Sequence, residues 1–469
     1  MRILLTGATG YIGRRLGQRL VEEELQLRLF VRDPRKVQES IRPRVEIAHG
    51  STFDTDSLRK AMGGVDVAYY LIHSMGAGED FEKLDRISAH NFLEACIQAG
   101  VKRIVYLGGL GQEDATSRHL QSRMEVGEIL SSRKEKIETI WFRASVIIGS
   151  GSASFEIIRN LVQKLPIMTP PRWVRTLTQP IAVDDVLDYL VAAKDRKVEG
   201  NLIVDIGSEI MTFQDMLKRT AEIMGLSRIV IPIPVLTPVL SSYWLGLITP
   251  VPMRVASKLI EGLKSETCVQ NDNAKMYFPQ IKPVSYETAV RRALKEIEED
   301  QILSRWCDSS AGEVCDTLHE DIAKAVFVER RESDLVDMTP DEAYRRIVGL
   351  GGKKGWLRFT VLWRIWGAVD TLLGGYGLSR GRRDPNELRI GDSVDFWKVA
   401  DLVEGKRLLL VSQIEFPGTA WLDFTIEDDK VIQTSYFYPN GVLGRVHWFL
   451  THLLHMLVLD SLAKAIVES

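Results

Sequence analysis

The stretch Arg2-Ile-Leu-Leu-Thr-Gly-Ala-Thr-Gly-Tyr-Ile-Gly13 decides how the first part of this chain folds. Arg2 to Leu5 reads as a short buried strand, Thr6 to Gly13 as a tight turn, and Arg14 to Glu24 as a helix. A loop that cradles phosphate needs that order, because the first N–H groups of a helix have no partner within it and meet an anion. Gly7 permits the turn, Gly10 lets backbone approach a pyrophosphate, and Gly13 lets the helix lie close to the sheet. Thr9, Tyr11 and Ile12 complete the loop. Gln26 to Val31 follows as a second strand at the distance a dinucleotide-binding unit requires.

The end of that second strand bears on cofactor choice. A ribose without an extra phosphate is met by an acidic side chain, whereas a 2′-phosphate needs a cation. The chain reads Arg32, Asp33, Pro34, Arg35, Lys36. Arg32 and Arg35 suit a charge-assisted clamp on phosphate, so NADPH is expected ahead of NADH. Asp33 is the residue that would take a bare ribose, and a solvated loop is the plainer role for all three.

Strand and helix then keep alternating. Arg44 to His49 is a strand, followed by Asp54, expected beside the adenine, and a helix over Thr55 to Met62. Val65 to Leu71 is a strand whose end, Ile72-His73-Ser74, falls on the carboxyl edge where the nicotinamide side of such a site lies. A helix over Asp80 to Ala99, a strand over Arg103 to Leu107 running into Gly109, and a strand over Lys136 to Phe142 leading to Ser145 complete the pattern. The alternation predicts an α/β fold with a doubly wound parallel sheet, and hydride would leave the cofactor near His73, Gly109 and Ser145.

On these residues the first 300 positions resemble the atypical branch of the extended short-chain dehydrogenase/reductase (SDR) superfamily. The resemblance implies a Rossmann sheet with a small substrate region, starting near Pro166 and built mainly from residues 208–300. Gln179 to Val186 is similar to a strand and helix start common in extended members, with Asp184 or Asp185 expected to cap the helix. The family's catalytic pair is a tyrosine and, four residues on, a lysine, with a serine upstream. Here the corresponding stretch is His119-Leu-Gln-Ser-Arg123, and the serine position falls near Gly109. A suitably held histidine donates a proton at neutral pH, and Arg123 can hold ribose hydroxyls but not relay protons. Two readings stay open: a reductase of a hydrophobic carbonyl or quinone with His119 as donor, or a non-catalytic NADPH-binding sensor or assembly protein. The plainer reading makes His119 and Arg123 an exposed first helical turn ion-paired through Glu125 and Glu128. Tyr106 is expected in the core.

Composition sets the remaining bounds. The chain has 469 residues, too many for one core. A formal charge of −3 gives no general attraction to nucleic acid. Cys96, Cys268, Cys307 and Cys315 show no metal-binding spacing, so no metal site and a reducing, cytoplasmic setting are expected. Ile229 to Val255 is apolar but interrupted by five prolines, Pro232, Pro234, Pro238, Pro250 and Pro252. His447 to Val467 contains His452, His455, Asp460 and Lys464, which favours an amphipathic helix packed on a sheet over a membrane span. Peripheral membrane contact is left open, as is the choice between monomer and homodimer.

Residues 301–316 read as a linker to a second domain, 317–469. Gly391 to Val399 and Pro417 to Phe424 make this half similar to DUF2867, a domain that accompanies SDR-type domains in bacterial proteins. Expected elements are a strand within His319 to Arg331, a helix over Thr339 to Val348, and a helix over Trp356 to Leu373 with Trp363 and Trp366 on one face. A four-strand meander follows over Val394 to Tyr438, covered by a long helix over Leu443 to Ile466. The arrangement resembles the α+β helix-grip fold of START-type proteins, which implies a small hydrophobic ligand near Trp397, Trp421, Phe437 and Trp448; simple core is the alternative. Asp392, Asp395 and Asp423 are possible cleft residues, Asp392 equally a turn cap. Arg380, Arg382 and Arg383 read as a solvated loop, and His447, His452 and His455 as no zinc set.

Overall fold

The computed structural model describes residues 1–23, 25–73, 81–111, 117–231, 261–262, 265–299, 301–306, 322, 325–358, 360–372, 382–414, 417–427 and 429–468. They form two compact units, one up to residue 306 and one from residue 322 onward.

In the first unit, β1 (Arg2–Thr6), β2 (Gln26–Val31), β3 (Glu46–His49), β4 (Val67–Tyr70), β5 (Arg103–Gly109), β6 (Glu138–Ala144) and β7 (Asn201–Ile206) make one parallel sheet in the order β7-β6-β5-β4-β1-β2-β3. The strands are nearly unbroken apolar runs because both faces are covered. Alternation sends Ile3, Leu5, Tyr69, Val105 and Phe142 into one core, and Leu4, Ala68, Tyr70, Ile104 and Tyr106 into the other. The crossovers are α1 (Tyr11–Glu22), α2 (Thr55–Ala61), α3 (Phe81–Ala99) and α4 (Arg118–Ser131). Strand order reverses between β1 and β4, and a crevice opens at the carboxyl ends at such a point. Thr6 Oγ1 spans it, donating 2.8 Å to the Tyr69 carbonyl.

Beyond β6 the first unit holds α5 (Ala153–Lys164), α6 (Val183–Ala193), whose Val186, Leu187 and Leu190 join the core of the parallel sheet, α7 (Phe213–Ile223) and α8 (Tyr286–Glu298). A Thr212/Asp215 capping box starts α7, and the Tyr286 hydroxyl, 2.9 Å from Thr220 Oγ1, ties α8 to it. The expected cap on α6 is not there. Its N-cap is Ala182 without a side-chain bond, and Asp185 instead accepts from the Val284 N–H at 2.9 Å. Burial raises the Asp185 carboxyl to about 6, against that hydrogen bond. The proline-interrupted stretch at 232–260 lies outside the described residues. Residues 301–306, expected as linker, belong to the first unit: Ser304 Oγ donates to the Tyr11 carbonyl at 2.9 Å and the Trp306 N–H to Gly151 at 2.8 Å.

The second unit is a six-stranded antiparallel sheet in the order β8-β13-β12-β11-β10-β9, formed by β8 (Phe327–Asp334), β9 (Ser393–Val394), β10 (Trp397–Val403), β11 (Arg407–Ser412), β12 (Gly418–Glu427) and β13 (Lys430–Pro439). α9 (Pro340–Val348), opened by a Thr339/Glu342 capping box, α10 (Thr360–Leu372) and α11 (Gly441–Val467) complete a helix-grip-like arrangement. Trp356 precedes α10 rather than opening it and stacks on Trp363 with centroids 4.8 Å apart; the Trp366 side chain lies outside the described residues.

Three expectations for this unit are corrected. Arg383 is buried against Asp392 at 3.1 Å, and Arg382 donates to the Val348 and Leu350 carbonyls, so neither is a solvated loop residue; Arg380 lies outside the described residues. Trp421 sits with Leu409 and Val411 on the face away from the main core. The amphipathic reading of α11 holds only near its end, where Val458, Leu462 and Ile466 are buried; upstream the leucines point outward. α11 is long and apolar enough to cross a membrane by length and composition, and it alone meets that test among the described residues.

Two outcomes follow from the packing. Gly13→Ala puts a Cβ 2.0 Å from the Gly7 carbonyl oxygen; the overpacking costs about 1–3 kcal/mol, seen as a lower thermal midpoint for the first unit alone. Asp392→Asn leaves Arg383 buried without its counter-charge, which costs about 3–5 kcal/mol in urea unfolding, whereas Asp392→Asn with Arg383→Met recovers most of that loss.

Candidate functional site

Gly7 adopts a positive φ of 69°, and a Cβ there would lie 2.4 Å from the Leu71 carbonyl oxygen, so only glycine fits. The Gly10 N–H closes the turn on the Gly7 carbonyl at 3.0 Å. Gly10 is then the N-cap of α1, without a side-chain cap and with no acidic residue in the first turn. The opening N–H groups of α1 therefore remain available to a diphosphate, and the loop fits the phosphates of a dinucleotide. The buried Arg14 donates through Nε to the Thr9 carbonyl at 2.9 Å, which holds the loop from behind. Tyr11 is packed inward, where burial drives its phenol far above the usual range. Ile12 packs against the core, so Tyr11 and Ile12 offer a ligand main chain rather than side chain.

At the end of β2, Asp33 caps a short turn over Pro34–Lys36 and holds Arg35 with two bonds of 3.1 Å. Burial pushes the Asp33 carboxyl up, but the Arg35 hydrogen bonds outweigh it and leave its pKa below the usual value. Arg35 is thus tied to Asp33, while Arg32 stands exposed beside them. Asp54, expected near the adenine, spends its carboxylate capping α2 through the Asp56 and Ser57 N–H groups at 3.1 and 3.3 Å.

Where β4 ends, three elements bring a line of polar groups together. Asp85 on α3, 2% exposed, accepts from Ser122 Oγ at 3.0 Å and lies 3.0 Å from His73 Nδ1. His73 Nε2 lies 3.1 Å from Nδ1 of His119, in the first turn of α4. His119 is 8% exposed, which corrects the reading of an exposed helical turn, and Glu125 pairs instead with Arg86. An ionised Asp85 fixes the proton of a neutral His73 on Nδ1, so Nε2 accepts from Nδ1–H of His119. That order turns Nε2 of His119 away from the line. Asp85 went unnoticed in the sequence; the signal was a carboxylate on the same α3 face as Ser88, Ala89 and Phe92, all buried.

Other expected site residues are placed as follows. Arg123 donates through Nη2 to the Leu107 carbonyl and lies 5.9 Å from the Tyr106 ring centroid, bound to the strand end. Tyr106 is core, its hydroxyl donating to the Arg123 carbonyl at 2.8 Å. At Gly109 a Cβ would lie 2.6 Å from Leu120 Cδ2, so a side chain there needs the end of Leu120 to move. Ser145 Oγ lies 2.6 and 2.7 Å from Thr178 Oγ1 and Thr267 Oγ1, which are 2.8 Å from each other. This triangle joins the end of β6 to residues 178 and 267. Ile72 packs beside the α3 core, and Ser74 lies outside the described residues.

In the second unit the expected cleft carboxylates are structural. Asp392 pairs with Arg383, Asp423 with Arg407 at 2.6 Å, and Asp395, at a φ of 54°, accepts from Trp356 Nε1 at 2.8 Å. Trp397 packs in the core below α10, while Phe437 and Trp448 stack at 5.3 Å. Burial first, then His447 and His452, push His455 down to about 4, so it is neutral at pH 7.

The family described as NAD(P)H-binding matches residues 7–145, and the family described as a protein of unknown function, DUF2867, matches residues 322–462. Sterol demethylase protein B of Methylococcus capsulatus is 28% identical over 115 residues, 24% of this chain. That match spans only 35% of the relative's own length. Among solved structures, a Citrobacter triphenylmethane reductase superposes with a TM-score of 0.52 at 20% identity, over 63% of this chain and 100% of that one. UDP-glucose 4-epimerase of Thermotoga maritima, with UDP-glucose, gives a TM-score of 0.51 at 15% identity, over 64% of this chain and 100% of its own. Identities this low speak for the fold alone. The chain therefore joins an N-terminal NAD(P)-binding Rossmann domain, consistent with an extended-SDR-like architecture, to a C-terminal DUF2867 domain.

Proposed function

We propose that this protein is an NADP(H)-dependent oxidoreductase of a hydrophobic carbonyl or quinone-like substrate, with His119 as proton donor. The observation that carries this reading is the buried line Asp85, His73, His119 at the carboxyl edge of the sheet. The bound cofactor would supply hydride to the carbonyl carbon. An imidazolium at His119 gives its Nε2 proton to the oxygen while its Nδ1–H stays on His73, and the Asp85 charge, acting through His73, stabilises the imidazolium beforehand. The neutral His119 then regains a proton from solvent. Arg123, held on the Leu107 carbonyl, takes no part in proton transfer. A hydrophobic substrate agrees with the name of the Methylococcus relative, a sterol demethylase protein. Preference for NADPH rests on Arg32, exposed at the end of β2, since Arg35 is held by Asp33.

A second reading, a sensor without turnover, is favoured by the tether at Ser304. Ser304 Oγ donates to the Tyr11 carbonyl and accepts from Arg15 Nε at 3.3 Å, and Arg15 also meets Glu296 at 3.3 Å. Cofactor at the start of α1 would then act on the segment by which the chain leaves the first unit.

NADPH oxidation with a panel of hydrophobic ketones and quinones separates the two. Under the enzyme reading, His119→Phe lowers kcat by about 10²–10⁴ with NADPH affinity kept; Asp85→Asn lowers kcat and shifts the pH profile, a change that mere loosening of the fold does not produce. Tight NADPH binding with no turnover across the panel would instead support the sensor. For cofactor choice, Arg32→Ala should weaken NADPH about tenfold or more in titration calorimetry and leave NADH nearly unchanged.

A further inference from the structure

The first four turns of α11 are inside out. Val442, Phe449, Leu450 and Leu453 are 78%, 71%, 80% and 72% exposed, with Leu443, Val446 and Leu457 also exposed along the same stretch. The side turned to the sheet carries Gly444, Trp448, Thr451, His452 and His455. His452 Nδ1 lies 3.0 Å from Glu329 Oε1, Arg331 pairs with Asp460, and Gln433 Nε2 donates to the Leu459 carbonyl at 3.1 Å. α10 repeats the pattern on a smaller scale: Val361, Ile365 and Val369, at helical spacing, are exposed while Trp363 and Asp370 are buried.

Exposed apolar faces of this size mark an interaction surface, and the charges on them say which kind. Between Gly441 and Leu459 the sequence contains no aspartate or glutamate, and its one arginine, Arg445, is exposed. In α10 the single acid, Asp370, is buried, and Arg364 is exposed. Leucine and phenylalanine flanked by cations without anions complement an acidic lipid surface. Length alone would allow α11 to thread a bilayer, but the Arg331–Asp460 ion pair, the hydrogen bond from Gln433 to the Leu459 carbonyl and the burial of Val458, Leu462 and Ile466 fasten it to the sheet. We propose that the exposed faces of α11 and α10 dock the second domain on an anionic bilayer, with α11 lying in the headgroup plane. The exposed stripe from Val442 to Leu457 is about 24 Å long at 1.5 Å per residue. The proposal concerns the second domain and stands whether or not the first turns over NADPH.

The test is flotation of the full chain with vesicles of phosphatidylcholine alone and with roughly a third phosphatidylglycerol. Acidic vesicles should carry the protein at least about tenfold better than neutral ones, with the advantage shrinking as salt rises. Leu450→Glu with Leu453→Glu should cut that binding about tenfold or more without moving the thermal midpoint. Ile365→Glu with Val369→Glu, on the other helix, is the second variant and should also weaken binding; Arg364→Gln with Arg445→Gln should remove the preference for acidic lipid. The proposal is overturned if the wild type stays unbound with both vesicles, or if the glutamate variants float like it. It is equally overturned if light scattering without lipid finds a dimer that Leu450→Glu with Leu453→Glu dissociates, since a second copy then covers the face.

Discussion

A methyl group at residue 13 would meet the Gly7 carbonyl oxygen at 2.0 Å, and one at residue 7 would meet the Leu71 carbonyl oxygen at 2.4 Å. These two backbone approaches set how close α1 comes to the reversal point between β1 and β4. The closeness aims the unclaimed N–H groups of α1 along the carboxyl edge of the sheet, toward the crevice where β4 ends and His73 begins. With bulkier residues the helix would stand off, and an anion at its N-terminus would no longer lie over that edge. The start of α1 and the end of β4 are thus held beside each other by two backbone approaches that only glycine allows.

Much of this was legible in residues 2–31, because glycine spacing and apolar runs are local and each has one cheap conformational meaning. The doubly wound parallel sheet follows from the same alternation. What local pattern does not contain is which polar side chains from distant elements meet. His119 was visible as the residue standing in a tyrosine's position, but its burial and its partners depend on His73 after β4 and Asp85 on α3, 46 and 34 residues away. Asp85 looked like one more charge on a helix. Arg35 shows the reverse limit: two arginines within four positions suggested a free clamp, yet Asp33 between them holds one of them already.

The second domain divides along the same line. Strand lengths in the meander, the helix over Thr339 to Val348 and the long final helix were readable from alternation, turn residues and composition. The orientation of α11 was not, since a helix with leucines on most sides has no preferred face until something polar claims one. Glu329 and Arg331 on β8 do so from more than a hundred residues away. Arg382 and Arg383 misled for a related reason: a run of arginines resembles a solvated surface, and only the carbonyls and carboxylate around it make burial tolerable.

The contact between Gly109 and Leu120 reaches beyond its own corner. A Cβ at residue 109 would come within 2.6 Å of Leu120 Cδ2, so a side chain there requires the end of Leu120 to move. Leu120 sits next to His119 on the first turn of α4. Any substitution that fills this corner is therefore coupled, through one leucine, to the turn that carries His119.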